Sequence, residues 1–517
     1  WCRAAGFWAA FWPNSAPDAT PRGRPAPVTS GGAHQQADGE TLSPFDRPGH
    51  LRAPEAVSGI CAMDATALMA EMRAGRLSSV EVVTAFLDRI DALNPTYNAI
   101  ISRRPLEVVL AEAAAADRAL ASGADTGPLH GLPIAIKDLS PTKGLTTTFG
   151  SPIYRDHVPD GDGLSTARIR AAGAIIVGKT NTPEFGLGSH TFNEVFGATG
   201  NTFAPERSAG GSSGGAAGAI ATRMLPLADG SDMGGPLRNP AAFNNVYGLR
   251  PSFGRVPSLP AGNVFEAALA TDGPMARTAD DLALLLGVQA GADPRQPLSA
   301  GLPDLDASTR DKDAPLRIGW LGNFDDHLAM EPGILDTNRA ALERIPGAVV
   351  EAAALGFDAE RLWQSFVIQR HVAVTARYAP LHADPATRDL LKPEMVWEIE
   401  NGLRLSALTV EAARELRTAW HLRLVDLFAR FDLLALPAAQ VWPFPIGERW
   451  PQAIDGRAMD SYHRWMECVA PATLSGCPVL ALPAGFRGGL STGVQIIAPL
   501  GRETDLLALA RQVERAG

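Results

Sequence analysis

The sequence predicts an α/β protein in which most of the chain forms one large mixed domain. Short apolar segments of strand length alternate with longer segments at helical spacing, a pattern typical of α/β folds. The chain has 517 residues, of which 46% are hydrophobic, so it can bury a sizeable core. It shows no internal repeat and no second glycine-rich cofactor loop. These observations favour a single domain with a helix-rich insertion at about 325–430.

The first half of the chain alternates predicted helices and strands. Ser78 and Glu81 are spaced as a capping box, which favours a helix start at this point. Gly123 and Gly173 each follow a helical pattern, as glycine often does at helix C-termini. Helices are predicted over 63–75, 78–93, 104–123 and 279–291, a buried strand within 131–139, and a helix followed by a strand within 165–181 and again within 214–230.

The second half begins with a segment rich in Pro and Asp, 292–315, which is predicted to be a linker or surface loop. A strand within 314–323 and a helix-dominated region over 332–430 follow it. Further strands are predicted at 433–439, 477–485 and 492–499, with a closing amphipathic helix at 503–516.

Residues 1–60 are predicted to be a disordered or non-native extension, and 61–517 the domain itself. From Pro13 to about Ser58 the chain is rich in Pro, Gly, Ala and polar residues, a composition that does not build a core. The apolar run near the start could be a signal-peptide remnant, but it lacks a clear basic region before it, which disfavours this alternative.

Charge and composition exclude several classes of partner. The net charge is −10 and the basic residues are scattered, so we expect no nucleic acid or anionic membrane surface as a partner. No uninterrupted apolar stretch reaches ~18 residues, which predicts no transmembrane helix. Small or neutral partners are favoured.

Cysteine and histidine spacing predicts neither disulfides nor a metal site. The four cysteines, Cys2, Cys61, Cys468 and Cys477, form no CxxC pair, which suits buried thiols in a reducing, cytoplasmic compartment. The ten histidines include no HExxH pattern. We therefore expect no metal and no cofactor.

Lys137 lies within the apolar segment GLPIAIKDL (131–139). A lysine on a buried strand loses hydration, which lowers its pKa and makes it available as a base. Taken alone, a lysine at the end of a strand more often extends its amine to water.

SAGGSSGGAAG (208–218) places four glycines around Ser212 and Ser213. Glycine permits unusual backbone angles and close approach, and the hydroxyls can relay protons or hold a lysine. Such a loop alone could be a flexible turn, but its position between strands and directly before a helix disfavours a linker.

GSDMGGPLRNP (230–240) reads as a polar, glycine-rich turn that opens a helix. Such turns often present backbone donors to an anion. At its centre stands Pro236, which has neither a hydroxyl nor a backbone N–H. If position 236 were the first helical residue, proline would suit it, and Gly235 could accept the extended conformation favoured before proline.

Together these stretches resemble the amidase signature family, whose members hydrolyse amides through a Ser, cis-Ser, Lys triad. The resemblance runs from about Met63 to the C-terminus and includes further stretches in the same order. They are KGLTTTFGS, AGAIIVGKTNTPEFG, GNTFAPERSAGGSSGGAAGAIA, LRNPAAFNNVYGLRPSFGRVP, GPMARTADDLALLL and TGVQIIAP. The fold implied is one domain with a mixed central β-sheet covered on both faces by α-helices.

The resemblance implies a role for each matching residue. Lys137 matches the general base, Ser212 the bridging serine whose preceding peptide bond is cis in the family, and Ser213 a supporting hydroxyl. The nucleophile matches Pro236. Met233, Gly234 and Gly235 match the oxyanion-hole stretch, and Asp232 and Arg238 match residues that support the loop.

Proline at the nucleophile position removes both the attacking oxygen and one backbone donor. Loss of a serine nucleophile costs on the order of 10⁶ in kcat in serine hydrolases, so we expect activity to be lost or severely reduced while the fold survives. Replacement of the missing hydroxyl by Ser231 or Ser213 is disfavoured, because the family's geometry aims neither at the substrate carbonyl.

Three functions remain open. The first is an amidase acting on the C–N bond of a small-molecule amide, inactivated at Pro236. The second is an inactive amidase-like binding or scaffold protein. The third is a protein like the amidotransferase A subunits, disfavoured because the chain lacks their tyrosine-containing C-terminal stretch. A homodimer is left open.

The substrate is not identified by the sequence. The helix-rich region and four aromatic residues are expected to border the acyl pocket, although such aromatics are more often part of a core. These are Trp442, Trp450, Tyr462 and Trp465.

Overall fold

The computed structural model describes residues 59–259, 262–266, 269–305 and 315–516. The predicted N-terminal extension lies outside the described residues except for its end, where a short 3₁₀ helix spans Gly59–Ala62. The α-helices are α1 (Ala65–Arg73), α2 (Ser79–Tyr97), α3 (Leu106–Ala121), α4 (Leu164–Ala171), α5 (Gly214–Ala221), α6 (Asn239–Phe243), α7 (Ala279–Gln289), α8 (Ile334–Glu343), α9 (Ala359–Ala383), α10 (Pro385–Arg388), α11 (Pro393–Leu403), α12 (Ala407–Phe428), α13 (Ala470–Ser475) and α14 (Glu503–Ala516). The strands are β1 (Ile100–Ile101), β2 (Pro133–Lys137), β3 (Ile175–Thr180), β4 (Phe192–Asn193), β5 (Gly197–Ala198), β6 (Leu227–Asp232), β7 (Tyr247–Arg250), β8 (Thr271–Ala276), β9 (Leu316–Trp320), β10 (Ala348–Ala352), β11 (Leu433–Pro437), β12 (Ala453–Ile454), β13 (Arg457–Ala458), β14 (Val479–Arg487) and β15 (Leu490–Ile497).

The central sheet has eight strands in the order β10-β9-β11-β15-β14-β7-β8-β6. β9 is parallel to both of its neighbours, β10 and β11, whereas the pairs from β11 to β6 are antiparallel. The predicted mixed sheet of a single α/β domain is therefore confirmed. A smaller sheet, in the order β1-β3-β2, contains the lysine strand.

Apolar cores form on both faces of the central sheet. In β11, Leu434 and Leu436 belong to the same buried cluster as Trp420 of α12. Their neighbours Leu433 and Ala435 belong to the opposite cluster, with residues of α7 and α14. Because successive side chains of a strand point to opposite faces, helices cover the sheet on both sides.

The predicted start of the second helix is confirmed at atomic detail. Ser78 Oγ accepts a hydrogen bond from the Glu81 backbone N–H at 3.1 Å, and Glu81 Oε2 accepts one from the Ser78 N–H at 2.8 Å. The helix runs to Tyr97 and contains Pro95, so it is longer than the apolar pattern indicated.

The helix-rich region also contributes one strand to the sheet. β10 pairs in parallel with β9 and follows α8, so these three elements form a βαβ unit at the sheet edge. The strand, AVVEA, is largely apolar but only partly buried, and its short apolar run was included in the predicted helix-dominated region.

Three of the cysteines, Cys61, Cys468 and Cys477, are free and buried, as predicted; Cys2 lies outside the described residues. Within the described ranges, no helix is both long enough and apolar enough to cross a membrane.

Candidate active site

Lys137 occupies the last position of β2, where its amine meets three serine hydroxyls. Its Nζ lies 2.9 Å from Ser212 Oγ, 2.8 Å from Ser213 Oγ and 3.1 Å from Ser231 Oγ. The lysine side chain is fully buried, with 1% of its surface exposed. The backbone N–H of Lys137 donates to Asp229 Oδ1 at 2.8 Å, which fixes the strand end against β6. The structure thus brings together the lysine and both serines of the glycine-rich loop.

Burial changes the acid–base behaviour of Lys137. Desolvation lowers its pKa to about 7, opposed by the negative charges of Asp229, Asp232 and Asp272. A lysine with this pKa is about half neutral near pH 7 and mostly neutral by about pH 8, so it can accept a proton in this range. The strand does not allow the amine to reach solvent, so the alternative of a surface-seeking lysine is wrong.

The glycine-rich loop packs so closely that side chains would not fit. The Gly211–Ser212 peptide bond is cis, as the resemblance implied. A Cβ on Gly211 would lie 2.8 Å from the His190 backbone N, and one on Gly215 2.4 Å from the Asn181 backbone N. Ser213 directly precedes α5, which starts at Gly214. The glycines therefore allow two serines to reach one lysine.

Asp232 organises the turn that follows β6. Its Oδ1 accepts the backbone N–H groups of Gly234 and Gly235 at 3.1 and 3.0 Å, and its Oδ2 accepts that of Leu237 at 3.1 Å. Arg238 donates to both carboxylate oxygens. The Asp232 carboxylate therefore holds the turn together through these hydrogen bonds.

The charge of Asp232 is balanced by two buried arginines. Burial alone would raise the pKa of its carboxyl, but Arg238 and Arg250 outweigh this effect and hold the pKa well below its usual range. Both guanidinium groups form ion pairs with Asp232, and all three side chains are completely buried. The carboxylate therefore remains ionised at neutral pH.

Pro236 lies in a turn and not at the start of a helix. The Gly235 carbonyl accepts the N–H groups of Arg238 and Asn239 at 2.7 and 2.8 Å. The helix α6 itself begins three residues later, at Asn239, so Pro236 lies in the turn that leads into it. Proline suits the second position of such a turn, because its fixed φ matches that position and no N–H is required of it.

The predicted oxyanion stretch is strongly shaped by its glycines. Gly234 and Gly235 have φ of 125° and 98°, values that residues with a Cβ rarely adopt. Their N–H groups donate to Asp232 in this structure, whereas Met233 is not among the amides that Asp232 binds. The backbone N–H groups of both glycines are therefore already hydrogen-bonded within the turn.

A cleft of about 190 Å³ opens next to this turn. It is surrounded by the segment after β2, the segments around α4 and Phe185, the serine and glycine loops, the start of β8 with the segment before it, and one face of α9. Its lining includes Leu139, Phe149, Leu164, Phe185, Ser212, Ser231, Met233, Gly234, Pro236, Ser258, Asp272, Arg370, Val374, Arg377, Tyr378 and Met466.

The helix-rich region borders this cleft through α9, but the four aromatic residues do not line it. Trp450, Tyr462 and Trp465 line a separate cavity of only about 10 Å³, and Trp442 packs at the edge of the main apolar core. Tyr462 nevertheless reaches the cleft indirectly, since its hydroxyl lies 2.8 Å from Arg370 Nη2.

Sequence reasoning missed three charged cleft residues, Arg370, Arg377 and Asp272. Arg370 is buried beside Glu398, at a distance of 2.7 Å, in a helix whose sequence carries no motif. Asp272 directly precedes the GPMART stretch, so its place beside a matched stretch was the available signal. These residues join the cleft only through long-range packing.

One group of side chains has the ligand atoms of a metal site but is already neutralised. His327, Glu360 and Glu467 have ligand atoms within 4.8 Å of one another. Arg464 pairs with Glu360 at 2.6 Å and with Glu467 at 2.9 Å. None of these residues lines the cleft, and Arg464 already supplies a positive charge to both glutamates.

Comparison with known proteins places the chain in a family. The family model described as Amidase matches residues 81–507, which include the lysine strand, the glycine-rich loop and the Asp232 turn. The chain belongs to the amidase family. The predicted family membership is thereby confirmed, and with it the coarse function of an amide-hydrolysing enzyme family.

The relatives of this chain include both amidotransferase subunits and an acylamidase. The A subunit of the glutamyl-tRNA(Gln) amidotransferase of Thermus thermophilus is 36% identical over 482 residues, covering 87% of this chain and 96% of that one. Its counterpart in Chloroflexus aurantiacus is 34% identical over 478 residues with the same coverage. Among solved structures, a bacterial aryl acylamidase of the amidase signature family superimposes with a TM-score of 0.82 at 28% identity, covering 88% of this chain and 96% of that one.

Proposed function

We propose that this chain is an amidase-type hydrolase for the C–N bond of a small-molecule amide, with its activity lost or severely reduced because Pro236 stands at the nucleophile position. The observation that carries the proposal is the contact of Lys137 with Ser212 at 2.9 Å, beside a cleft that Pro236 lines. Every part of the relay is present except the hydroxyl that it would activate.

The proposed mechanism needs a hydroxyl at position 236, as in Pro236→Ser; neutral Lys137 withdraws a proton from that hydroxyl through Ser212. The activated oxygen attacks the amide carbon, and the same relay returns the proton to the departing amine. Water then releases the carboxylic acid. The backbone amides of the Met233–Gly235 stretch would hold the developing oxyanion, which requires Gly234 and Gly235 to share or exchange their present bonds to Asp232.

The proposal is tested by restoring a hydroxyl at position 236. Pro236→Ser should hydrolyse a simple aryl amide such as 4-nitroacetanilide, whereas the native chain should be slower by a factor on the order of 10⁴ or more, since loss of a serine nucleophile costs up to about 10⁶. Pro236→Ala is the matched control, because it removes the proline without adding an oxygen. Equal turnover by the native chain and Pro236→Ser would refute the assignment of position 236.

A binding or scaffold role is the second candidate, favoured by the same proline. The cleft and its charged lining persist although the hydroxyl is absent, so a ligand could be held without turnover. If Pro236→Ser folds normally and remains inactive on a panel of aryl, aliphatic and peptide amides, this candidate gains support.

An amidotransferase-like role is the third candidate, favoured by the identity of 34–36% to the A subunits. It predicts that Pro236→Ser prefers a glutamine side-chain amide over an aryl amide. A preference for the aryl amide would favour an amidase that acts alone. For the first candidate, the small-molecule amidase, we also predict a cytoplasmic location and no nucleic-acid partner.

A further inference from the structure

Asp272 contributes an uncompensated carboxylate to the wall of the cleft. It is partly exposed and lines the cleft together with Ser231 and Pro236. Its one described side-chain hydrogen bond is long, 3.4 Å from Ser258 Oγ, and no ion pair of Asp272 is found among the described residues. Most charged groups near the turn, by contrast, are paired.

The fold places this carboxylate beside the lysine relay. In the ladder between β6 and β8, Asp272 stands directly opposite Ser231, and side chains of opposite residues share one face of a sheet. Ser231 Oγ lies 3.1 Å from Lys137 Nζ. Asp272 is therefore about one side chain away from the reacting centre.

No side chain in the part of the chain that the structure describes neutralises Asp272. Lys137 is the cation that acts on it electrostatically, but burial and the nearby Asp229 outweigh that effect and raise the pKa of Asp272 to about 7. The lysine amine is directed at the three serine hydroxyls. A partly desolvated carboxylate without a counter-charge gains most from a cation that arrives with a ligand.

We propose that Asp272 binds a protonated amine of the ligand, so that the cleft selects amides that carry an ammonium group a few bonds from the scissile C–N bond. This inference deepens the proposed function and rests on it for the position of the amide. The ammonium lies between Asp272 and Ser258, and the amide carbonyl lies at the Met233 turn.

The lining of the cleft also includes positively charged side chains, which compete with Asp272 in selecting the charge of a ligand. Arg370 and Arg377 of α9 also line the cleft and would favour an anionic ligand. Arg370, however, is paired with Glu398 at 2.7 Å and contacts Tyr462, so its charge is balanced within the protein. Arg377 is exposed at the rim, where ionic interactions are weak. These observations favour the cation.

The test uses binding by the native chain, in which turnover does not interfere. Three ligands of equal chain length differ in the group at the far end: 5-aminopentanamide ends in an ammonium, hexanamide in a methyl group and glutaramate in a carboxylate. Dissociation constants are measured by ligand-observed NMR at about pH 8.5, above the pKa of Asp272, about 7, and below that of a primary amine. The cationic amide should bind about tenfold more tightly than the neutral amide.

Variants assign this preference to one residue. Asp272→Asn should reduce the preference to less than about twofold, and Asp272→Glu should retain part of it, by the loss or retention of a charge-assisted hydrogen bond. Asp426→Asn is the matched control, because it removes an exposed carboxylate of α12 outside the cleft.

The inference is overturned if the native chain binds the three ligands equally, if glutaramate binds most tightly, or if the folded Asp272→Asn variant keeps the preference for the cation. The first two outcomes need no variant, so a misfolded substitution would not leave the question open. Hydrolysis by Pro236→Ser is read on a neutral aryl amide, so failure of that assay and failure of this one are distinguishable.

Discussion

In the candidate active site, Lys137 is suited to catalysis and Pro236 is not. Lys137 has the burial, the hydroxyl contacts and the lowered pKa of a proton acceptor. Pro236, at the proposed nucleophile position, has no hydroxyl. Under the proposed function, the residues around the site are those of an active amidase, and only the hydroxyl oxygen at position 236 is missing.

The lowered pKa of Lys137 sets the expected pH dependence of the Pro236→Ser variant. Because lysine acts as a base only when neutral, kcat/KM should rise as pH increases through about 7 and level off above it. Lys137→Arg in the Pro236→Ser background should abolish the activity and, with it, the rise of kcat/KM with pH. Asp272→Asn in the same background should retain such a rise. A rise that comes only near the ordinary lysine pKa of about 10.4 would contradict this account.

Asp232 should be among the residues most costly to change. Asp232→Asn leaves the buried Arg238 and Arg250 without their common counter-charge, so we expect the free energy of unfolding to fall by about 3–5 kcal/mol. Urea unfolding measures the change. The exposed pair of Arg339 and Glu343 supplies the control, since Glu343→Gln should cost less than about 0.5 kcal/mol. Equal losses of unfolding free energy in the two variants would show that Asp232 stabilises the protein no more than an exposed ion pair does.

At the scale of elements, helical glycines distinguish close packing from mere tolerance. In α5, a Cβ on Gly215 would meet the Asn181 backbone at 2.4 Å, whereas Gly287 of α7 has nothing within 4 Å of its Cβ position. Gly215→Ala should therefore destabilise by about 1–3 kcal/mol or more through overpacking. Gly287→Ala should stabilise by up to about 1 kcal/mol, as alanine does in exposed helix interiors. Thermal unfolding of both variants checks the opposite signs; two shifts of the same sign would contradict the packing.

Most elements could be predicted because their signals are local. The Ser78 capping box, the apolar strand before Lys137 and the glycines around Ser212 each reflect constraints within a few residues. The edge strand β10 escaped prediction because its short apolar run was included in the predicted helix-dominated region, and pairing partners across the sheet leave no trace in a local pattern.

The candidate site was only partly predictable, for the same reason. Lys137, Ser212 and Asp232 came from motifs, whereas Arg370 and Asp272 reach the cleft through packing between distant segments. The bonds from Gly234 and Gly235 to Asp232 depend on backbone angles that sequence does not specify. Whether Pro236 begins the helix or lies in the turn before it could not be decided from the sequence, because proline is favoured in both settings.

For the whole molecule, the mixed sheet with helices on both faces supports the site from two directions. β2 supplies the lysine from the small sheet, while β6 supplies the turn from the edge of the central sheet. Family membership follows from the match over residues 81–507. The chain is similar both to a bacterial aryl acylamidase and to the A subunit of a glutamyl-tRNA(Gln) amidotransferase, so its substrate and partners depend on direct measurement.

The most direct test of the central claim is covalent labelling by a fluorophosphonate, followed by intact-mass analysis and peptide mapping. The account predicts one adduct on Pro236→Ser, located at position 236, and none on the native chain or on Pro236→Ala. Labelling of the native chain at Ser212, Ser213 or Ser231 would contradict it, as would a folded Pro236→Ser variant that remains unlabelled.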